Sequence, residues 1–245
     1  MLLTVVIVTK NPGHDIFATL SSVLPLNDAS VEILVKDNSD DRSLEEINEC
    51  FRFTNFKYVY VRDDGIYDAM NQAVDLSKGE YIYFLNAGDT YVDCNLLETL
   101  KNDPSNTDFY YGNIINLHPF ARQVSYSKHI NKYSVYLRRV CHQAIVVKKK
   151  VFEELGPFDT NLKINADYLF ILKLLDQFKG KSLHRLIAIY KGGGRSYGYK
   201  LTKPEKSYLK SELKSLFNPI EIGFLSFASV ILRFLVYLKN FNKPS

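Results

Sequence analysis

The first hundred residues alternate short apolar runs, rich in β-branched residues, with amphipathic stretches, and this alternation constrains the fold more than any other feature of the chain. Parallel strands need long crossover connections, usually helices, and strands buried on both faces are continuously apolar. Four apolar runs are predicted to be strands: residues 3–8, 31–36, 57–61 and 80–85. We therefore predict an α/β fold with a mostly parallel central sheet and flanking helices.

The amphipathic stretches between these strands are predicted to be helices, at residues 15–23, 43–51 and 66–77. Ser43 and Glu46 have the spacing of a capping box at the start of the second helix. In the third, apolar residues recur at intervals of three and four, which places them on one face toward the core. Gly79 is predicted to stop this helix.

The pattern changes after residue 108. Aromatic and β-branched segments with polar interruptions over 108–147 predict a mixed or antiparallel extension of the sheet. Two helices and a strand are expected next, at residues 148–155, 165–178 and 183–190. The predicted organisation is one domain over residues 1–218, divided into an N-terminal half (residues 1–116) and a C-terminal half (residues 117–218), with a C-terminal tail over 219–245.

Charge is distributed unevenly along the chain, although the net charge is only +4. Residues 1–116 carry 8 Lys and Arg against 19 Asp and Glu, a net −11, whereas residues 117–245 carry 23 against 8, a net +15. An acidic region that binds an anionic nucleotide needs a cation between the two, and a basic region suits phosphate groups or an anionic membrane surface. The alternative is that the lysines only solubilise the surface.

The tail combines apolar and basic residues. Residues 222–232 form an apolar run of eleven, shorter than the roughly 18–20 residues that a membrane-spanning helix needs. Lysines flank the run on both sides, which favours an interfacial helix on an anionic leaflet. A dimer interface and a helix folded back on the core are the alternatives. The lysines are Lys210, Lys214, Lys239 and Lys243.

Cysteine usage and the N-terminus point to the cytosol. Cys50, Cys94 and Cys141 are odd in number and lack CxxC spacing, so neither a disulfide framework nor a zinc site is indicated. This usage suits a reducing compartment. The apolar run at residues 2–8 is too short for a signal-peptide core and has no basic residues before it, so it is better interpreted as the first strand. We expect a cytoplasmic protein attached peripherally to the inner face of the cell membrane.

The loops after the predicted strands carry most of the polar motifs. Residues 9–13 are not a GxGxxG motif, which argues against a dinucleotide-binding oxidoreductase. Acidic residues follow the other three strands, at 37–41, 63–65 and 86–89. Each loop alone fits an ordinary turn. Carboxylates gathered at one sheet edge repel each other, however, and a divalent ion bridging diphosphate oxygens would offset this repulsion.

Three segments together resemble a known family: VVIVTKN, EILVKDNSDD and DDGIYDAMNQAVDLSKGEYIYFLNAGD. They are similar to the donor-binding half of family two glycosyltransferases, particularly bacterial enzymes that assemble surface polysaccharides, and the similarity covers roughly residues 3–190. The resemblance implies a GT-A type fold and a nucleoside-diphosphate sugar as donor. The N-terminal half would then bind the donor, and the C-terminal half the acceptor.

The resemblance also implies donor-binding residues. Thr9 and Asp37 would lie against the nucleobase and its ribose, with Asp37 accepting a hydrogen bond from a base N–H. The helix after the third strand would line the donor pocket through Asp64, Tyr67, Asp68 and Asn71.

The NAGD element would hold the metal. Asn86 would contact the donor, and Asp89 would bind Mg²⁺ or Mn²⁺ on the diphosphate. The chain departs from the family here, because Asn86 and Gly88 stand where many relatives carry Asp. We therefore expect modest affinity for the metal.

The predicted catalytic residue is Asp167, which follows the Gly156-Pro157-Phe158-Asp159 element. In the family, the acidic residue at this helix start is the general base, which deprotonates the acceptor hydroxyl in inverting transfer. From the residues alone, the alternative is a carboxylate that only stabilises a helix N-terminus. His142 resembles a family histidine near the site, although a lone histidine is more often structural. Arg195 follows a glycine run that could close over the donor, where it would neutralise the departing diphosphate; the alternative is a plain glycine-rich connector.

The sequence thus predicts an inverting glycosyltransferase of polysaccharide biosynthesis, acting on a saccharide or a polyprenyl-diphosphate-linked acceptor. The rival hypotheses are a non-catalytic nucleotide-sugar-binding protein and a nucleotidyltransferase, although the latter would need a glycine-rich basic loop after the first strand. No nucleic-acid partner is expected, and a homo-oligomer stays open. The sequence does not specify the sugar, the nucleotide or the acceptor.

Overall fold

The computed structural model describes residues 1–103, 107–117, 122–124, 126, 129–192 and 198–241, with residues 122–123 and 233–241 described by their backbone alone. The described strands are β1 (Leu3–Thr9), β2 (Val31–Asp37), β3 (Phe56–Tyr60), β4 (Tyr81–Phe84), β5 (Thr90–Tyr91), β6 (Phe109–Asn116), β7 (Arg122–Val124), β8 (Ile145–Lys148) and β9 (Gly180–Tyr190). The described α-helices are α1 (Asp15–Ser22), α2 (Asn48–Phe51), α3 (Ile66–Leu76), α4 (Leu96–Asn102), α5 (Lys132–Leu137), α6 (Lys149–Leu155), α7 (Ala166–Gln177), α8 (Lys203–Leu216) and α9 (Pro219–Phe241).

All the described strands belong to one sheet, ordered β3-β2-β1-β4-β8-β6-β9-β5, with β7 paired to β6. The first four strands are parallel to one another where they pair, as predicted. The chain runs outward from β1 through β2 to β3 and then crosses to β4 on the other side of β1. Strand order therefore reverses between β1 and β4, and in open α/β sheets ligands bind outside the carboxyl ends of the strands at such a point.

The predicted mixed extension of the sheet is confirmed. Strand β8 lies antiparallel between β4 and β6, and β5 pairs antiparallel with β9. Strand β9 is parallel to β6. A strand from the C-terminal half of the chain therefore separates two strands of the N-terminal half.

Two local predictions are wrong. No helix begins at Ser43, because its N–H donates to Asp41 Oδ1 (3.0 Å) and residues 43–47 form turns, so helix α2 covers only Asn48–Phe51. Gly79 does not stop α3, which ends at Leu76. Gly79 instead allows close packing on β1, since a Cβ at this position would lie 2.3 Å from the backbone nitrogen of Thr4.

An aromatic cluster joins the sheet to two helices of the C-terminal half. Phe84 at the end of β4 packs against Phe158 with ring centroids 5.6 Å apart, and Phe170 of α7 stacks on Phe152 of α6 at 4.7 Å. Phe158 and Phe170 are 4.9 Å apart. These four buried rings hold the start of α7 close to the end of β4. The predicted base, Asp167, lies in the first turn of α7, and the predicted metal ligand, Asp89, follows β4.

Helices α8 and α9 follow the sheet. Helix α9 begins where the predicted tail begins, and reciprocal hydrogen bonds between Asn218 and Glu221 cap its first turn. Within the described residues of the chain, no single helix has the length and hydropathy to cross a bilayer. Only α8 taken together with residues 219–232 meets those criteria, and that pair is bent by 118°.

Candidate active site

Two cavities meet at the carboxyl ends of β1 and β4, and a third adjoins them beside the start of α3. The strand-end cavity, about 260 Å³, is lined by Thr9, Asp63, Asn86 and neighbouring residues. The main cavity, about 570 Å³, contains Asp89, Arg139, His142, Asp167 and Lys191 in its wall. The side cavity, about 340 Å³, is lined by Asp64, Tyr67 and Asp68 among others. Asp15, Asn86 and Ala87 line both the strand-end and the main cavity, and Tyr67 lines both the main and the side cavity.

The predicted base, Asp167, is held by two side chains from distant regions of the chain. The Tyr67 hydroxyl of α3 donates to Asp167 Oδ1 at 2.8 Å, and His142 Nδ1 lies 3.0 Å from Oδ2. His142 Nε2 in turn lies 3.2 Å from the Asn86 amide nitrogen. Four of the predicted site residues are therefore linked in one chain of hydrogen bonds.

This network sets the charge of Asp167. Burial alone would raise the pKa of the carboxyl, but the hydrogen bonds from His142 and Tyr67 outweigh burial and hold the pKa below its ordinary value. Asp167 is therefore ionised at neutral pH. Burial, reinforced by the Asp167 charge, raises the pKa of Tyr67, so the tyrosine remains a hydrogen-bond donor.

Asp89 is buried, with 3% of its surface exposed, and both of its carboxylate oxygens are engaged by the protein. Oδ1 accepts the Lys191 N–H (3.0 Å) and Oδ2 accepts Gln143 Nε2 (2.7 Å). Burial raises the pKa of Asp89 despite these donors. Among the described residues, no group of three or more His, Cys, Asp or Glu side chains is placed to hold a metal ion. The described residues therefore form no metal site by themselves, and Asp89 would have to share an oxygen that already accepts a hydrogen bond in order to bind a divalent ion.

Two polar atoms in the strand-end cavity have no partner. Thr9 Oγ1 and Asn86 Oδ1 are buried and make no hydrogen bond to the described residues. A buried polar atom without a partner costs about 1–3 kcal/mol. Both residues line the cavity at the reversal of strand order, so a ligand with hydrogen-bonding groups would relieve this cost.

Asp37 lies behind the cavities rather than in the walls described for them. Its side chain is fully buried, Oδ1 accepts the Ser39 N–H and hydroxyl, and Oδ2 accepts the Tyr58 hydroxyl at 2.8 Å. Asp63 is neutralised by the buried ammonium of Lys36. Repulsion among the acidic loops is thus offset within the protein, and the predicted contact of Asp37 with a nucleobase stays a prediction.

The remaining predicted donor residues divide into two groups. Asp64 and Asp68 line the side cavity, and Asp68 Oδ2 accepts the Asp64 N–H at 2.9 Å, which fixes the first turn of α3. Asn71 clamps the main chain of Phe158 through two hydrogen bonds of 2.8 and 2.9 Å. Arg195 lies outside the described residues.

Several residues of the main cavity have no role predicted from the sequence. Arg139 lies 4.7 Å over the Tyr168 ring and donates to Asn165 Oδ1. Gln143 holds Asp89, and Lys191 contacts both Asp89 and Asp15. The adjacent glycine run, which begins at Gly192, is the only local sequence feature that could have drawn attention to Lys191. No motif in the local sequence indicates a role for Arg139.

The fold and the site define an α/β enzyme whose acidic site lies at the reversal of strand order. The sequence profile of glycosyl transferase family 2 matches residues 4–156. The chain belongs to this family, and the predicted family is confirmed.

A PGL/p-HBAD biosynthesis glycosyltransferase of Mycobacterium bovis (strain BCG / Pasteur 1173P2) is 26% identical over 219 residues, covering 85% of this chain and 83% of the relative. An uncharacterized glycosyltransferase of Methanocaldococcus jannaschii is 25% identical over 198 residues, covering 75% and 67%.

Solved structures share the fold. S. aureus TarS 1–349 in complex with UDP-GlcNAc aligns with a TM-score of 0.72 and 18% identity, over 91% of this chain and 66% of that one. The mannosyltransferase PcManGT from Pyrobaculum calidifontis, in complex with GDP-Man and Mn²⁺, aligns with a TM-score of 0.59 and 15% identity, over 99% and 81%. The chain spans 60 to 66% of the TarS 1–349 chains. The predicted GT-A type fold is confirmed, and the chain is a glycosyltransferase.

Proposed function

We propose that this chain is an inverting glycosyltransferase that transfers a sugar from a nucleoside-diphosphate donor to a saccharide or polyprenyl-diphosphate-linked acceptor in polysaccharide or glycolipid biosynthesis. The main support is the ionised Asp167 in a cavity that adjoins the unpaired polar atoms of Thr9 and Asn86. One end of the combined cleft offers a base, and the other offers hydrogen-bonding sites for a polar ligand.

The donor is proposed to span the two cavities that share Asn86. The nucleoside would occupy the strand-end cavity beside Thr9, and the sugar would enter the main cavity beside His142 and Asp167. The UDP-GlcNAc complex of TarS and the GDP-Man complex of PcManGT support a nucleotide sugar as the ligand class. These two complexes contain different nucleotides, so the comparison leaves the base open.

The proposed reaction is a single displacement. The acceptor oxygen attacks the anomeric carbon and forms the new C–O bond, while the bond from that carbon to the donor phosphate breaks and the nucleoside diphosphate leaves with the electron pair. Asp167 accepts the proton of the acceptor hydroxyl, and the configuration at the anomeric carbon inverts. A positioned base of this kind contributes about 100- to 10,000-fold to the rate. His142 and Tyr67 orient its carboxylate.

The predicted Mg²⁺ or Mn²⁺ cofactor rests on Asp89, and it stays a prediction. The Mn²⁺ of PcManGT favours it, whereas the burial of Asp89, with a protein hydrogen bond to each carboxylate oxygen, opposes it. A bound divalent ion would supply positive charge to the diphosphate, and no step of the proposed reaction depends on it.

Replacement of Asp167 by Asn tests the assignment of the base. We expect transfer to fall by about 100-fold or more, while donor binding, followed by the rise in melting temperature with UDP-sugars or GDP-sugars, is retained. The matched control is Asp176→Asn, in the last turn of the same helix, where the carboxylate pairs with Lys132 (2.7 Å). If Asp167→Asn transfers sugar at the wild-type rate, the assignment of Asp167 as the base is wrong. If the wild-type protein binds the donor but neither transfers nor hydrolyses it, the chain is instead the non-catalytic nucleotide-sugar-binding protein.

Membrane attachment on the cytoplasmic side is a second element of the proposal. Helix α9 carries an exposed apolar stripe at Ile220, Phe224, Phe227 and Ile231, and its two phenylalanines are 71% and 66% exposed. Such a face, beside a lysine-rich helix, suits an anionic interface where a lipid-linked acceptor resides. A dimer through the same stripe is the alternative.

Flotation with anionic vesicles tests this attachment. The joint substitution Phe224→Ser and Phe227→Ser is expected to abolish binding, because it removes the two exposed aromatic rings of the stripe. Val61→Ser, at a half-exposed apolar residue elsewhere, is the control. Binding that survives the double substitution contradicts the membrane proposal, and loss of a dimer in sedimentation would favour the alternative.

A further inference from the structure

Lys191 links two carboxylates at the edge of the main cavity. Its backbone N–H donates to Asp89 Oδ1, and its ammonium group lies 2.7 and 2.6 Å from the two oxygens of Asp15. The side chains of Lys191 and Asp15 are about half exposed, at 53% and 48%. An ion pair this exposed contributes about 0–1 kcal/mol, so the ammonium can exchange partners at little cost.

The pair lies at the junction of two cavities. Asp15 lines both the strand-end and the main cavity. A Cβ at Gly88 would lie 3.2 Å from Lys191 Cδ and 3.5 Å from Asp15 Oδ2. The pair therefore fills the space over the backbone of Gly88, between the proposed nucleoside and sugar positions. A donor that spans both cavities has its diphosphate at this junction.

The diphosphate needs positive charge, and few cations in the described walls are free to supply it. Both carboxylate oxygens of Asp89 already accept a hydrogen bond from the protein, which leaves this residue poorly placed to recruit a metal ion. The guanidinium of Arg139 lies over a tyrosine ring and donates to Asn165. Lys10 lines only the strand-end cavity among the three. Lys191 combines a half-exposed ammonium group with a position at the junction.

We propose that Lys191 binds the diphosphate of the donor, leaving Asp15 when the donor enters, and that this contact replaces a divalent ion in donor binding. The inference rests on the proposed function, since it requires a nucleoside-diphosphate donor. Asp15 is the resting partner of the ammonium group and competes with the phosphate for it. Charge-assisted bonds to phosphate are among the strongest polar contacts in proteins.

Calorimetric titration of UDP and GDP in buffer with EDTA tests the proposal, with UMP and GMP as ligands that lack the second phosphate. Lys191→Gln is expected to weaken diphosphate binding on the order of 10- to 100-fold, and less for the monophosphate. Lys191→Arg keeps the charge and is expected to retain most of the affinity. Asp15→Asn is expected to tighten binding about two- to fivefold, because the competing carboxylate is gone.

Lys101→Gln is the matched control, because Lys101 forms a surface pair with Asp28 at 3.2 Å, and its diphosphate affinity should equal that of the wild type. Folding of each variant is checked by its melting temperature. The side-chain changes leave the Lys191 N–H that holds Asp89 in place.

Three outcomes overturn the inference. If wild type and Lys191→Gln bind the diphosphates with equal affinity, Lys191 does not contact the diphosphate. If the wild type binds only when Mn²⁺ replaces EDTA, a metal ion supplies the positive charge, and the proposed function still holds. Absence of nucleotide binding both in EDTA and in Mn²⁺ instead overturns the proposed function, and the inference falls with it.

Discussion

Replacing Tyr67 with Phe isolates one of the two hydrogen bonds that hold the Asp167 carboxylate. The change removes only a hydroxyl group and keeps the ring, whose centroid lies 5.9 Å from that of Phe158. A hydrogen bond to a charged group contributes about 1.5–3 kcal/mol, and about 1.4 kcal/mol corresponds to one pKa unit. Because 22% of the Asp167 side chain is exposed, water replaces some of the lost bond. We therefore expect the pKa of Asp167 to rise in Tyr67→Phe, because the ionised carboxylate loses a hydrogen-bond donor.

The sign of the stability change follows from the lowered pKa of Asp167. The ionised carboxylate stabilises the fold above its ordinary pKa of 3.8, and this contribution is lost as the pH falls through the lower pKa of the folded state. Tyr67→Phe should reduce the free energy of unfolding by about 1–3 kcal/mol at neutral pH. The difference from wild type should shrink once the pH is below the folded pKa, because the carboxyl is then protonated in both folded proteins.

The measurement is an NMR titration of ¹³C-labelled aspartates, together with urea unfolding at neutral and acidic pH. Tyr58→Phe is the matched control, because it removes a hydroxyl 2.8 Å from the carboxylate of Asp37, away from Asp167. It should lower stability without moving the pKa of Asp167. An Asp167 pKa that is the same in Tyr67→Phe and wild type, or that shifts equally in both variants, contradicts the role assigned to the Tyr67 hydroxyl.

Two further predictions concern contacts around the site. Asn71→Ala removes both hydrogen bonds to the main chain of Phe158 and should lower the free energy of unfolding by about 1–3 kcal/mol in urea titrations; an unchanged unfolding midpoint contradicts the clamp. Gln143→Leu removes a donor from the buried Asp89 and should destabilise the protein at neutral pH by about 1–3 kcal/mol. Because burial raises the pKa of Asp89, this loss should become smaller as acidic pH protonates the carboxyl, and a loss independent of pH contradicts this explanation.

The parallel half of the sheet could be predicted from the sequence because its signals are local. Strands β1 and β2 are buried along almost their whole length, and each has a run of apolar residues at its centre, Val5–Val8 and Ile33–Val35. Predicted and observed ends of the first four strands differ by one residue at most. The predicted start of the second helix failed because Asp41 accepts the Ser43 N–H in a tight turn, a local competitor that the capping-box spacing does not reveal.

Elements without such signals were missed. Strands β5 and β7 and helices α4, α5 and α8 were not predicted as separate elements, and α5 lies within residues 108–147, which were predicted to extend the sheet. Strand β5 has two residues and β7 has three, too few for a period to be recognised. Helix α8 is polar over most of its surface, and only Glu205 and Leu209 are buried, so it has no wide apolar face.

The site was predicted incompletely, because its pairings follow from tertiary structure. The family resemblance indicated Asp89 and Asp167, and both line the main cavity. Tyr67 and Asp167 are 100 residues apart in the chain, and their hydrogen bond exists because α3 and the start of α7 approach each other. Asp37 is not among the residues that line the described cavities, because strand β2 ends one strand away from the reversal point and its last side chain is buried.

The position of β8 between β4 and β6 has a consequence for engineering this enzyme. Strand β8, from the C-terminal half of the chain, pairs with β4 and β6 of the N-terminal half. A chimera joined at residue 116 would therefore combine strands from two proteins within one hydrogen-bonded sheet, because the two halves are not separate modules. Fragments separated there would each expose unpaired strand edges, which promote aggregation. Transplanting acceptor preference between relatives therefore calls for exchanging loops above an intact sheet.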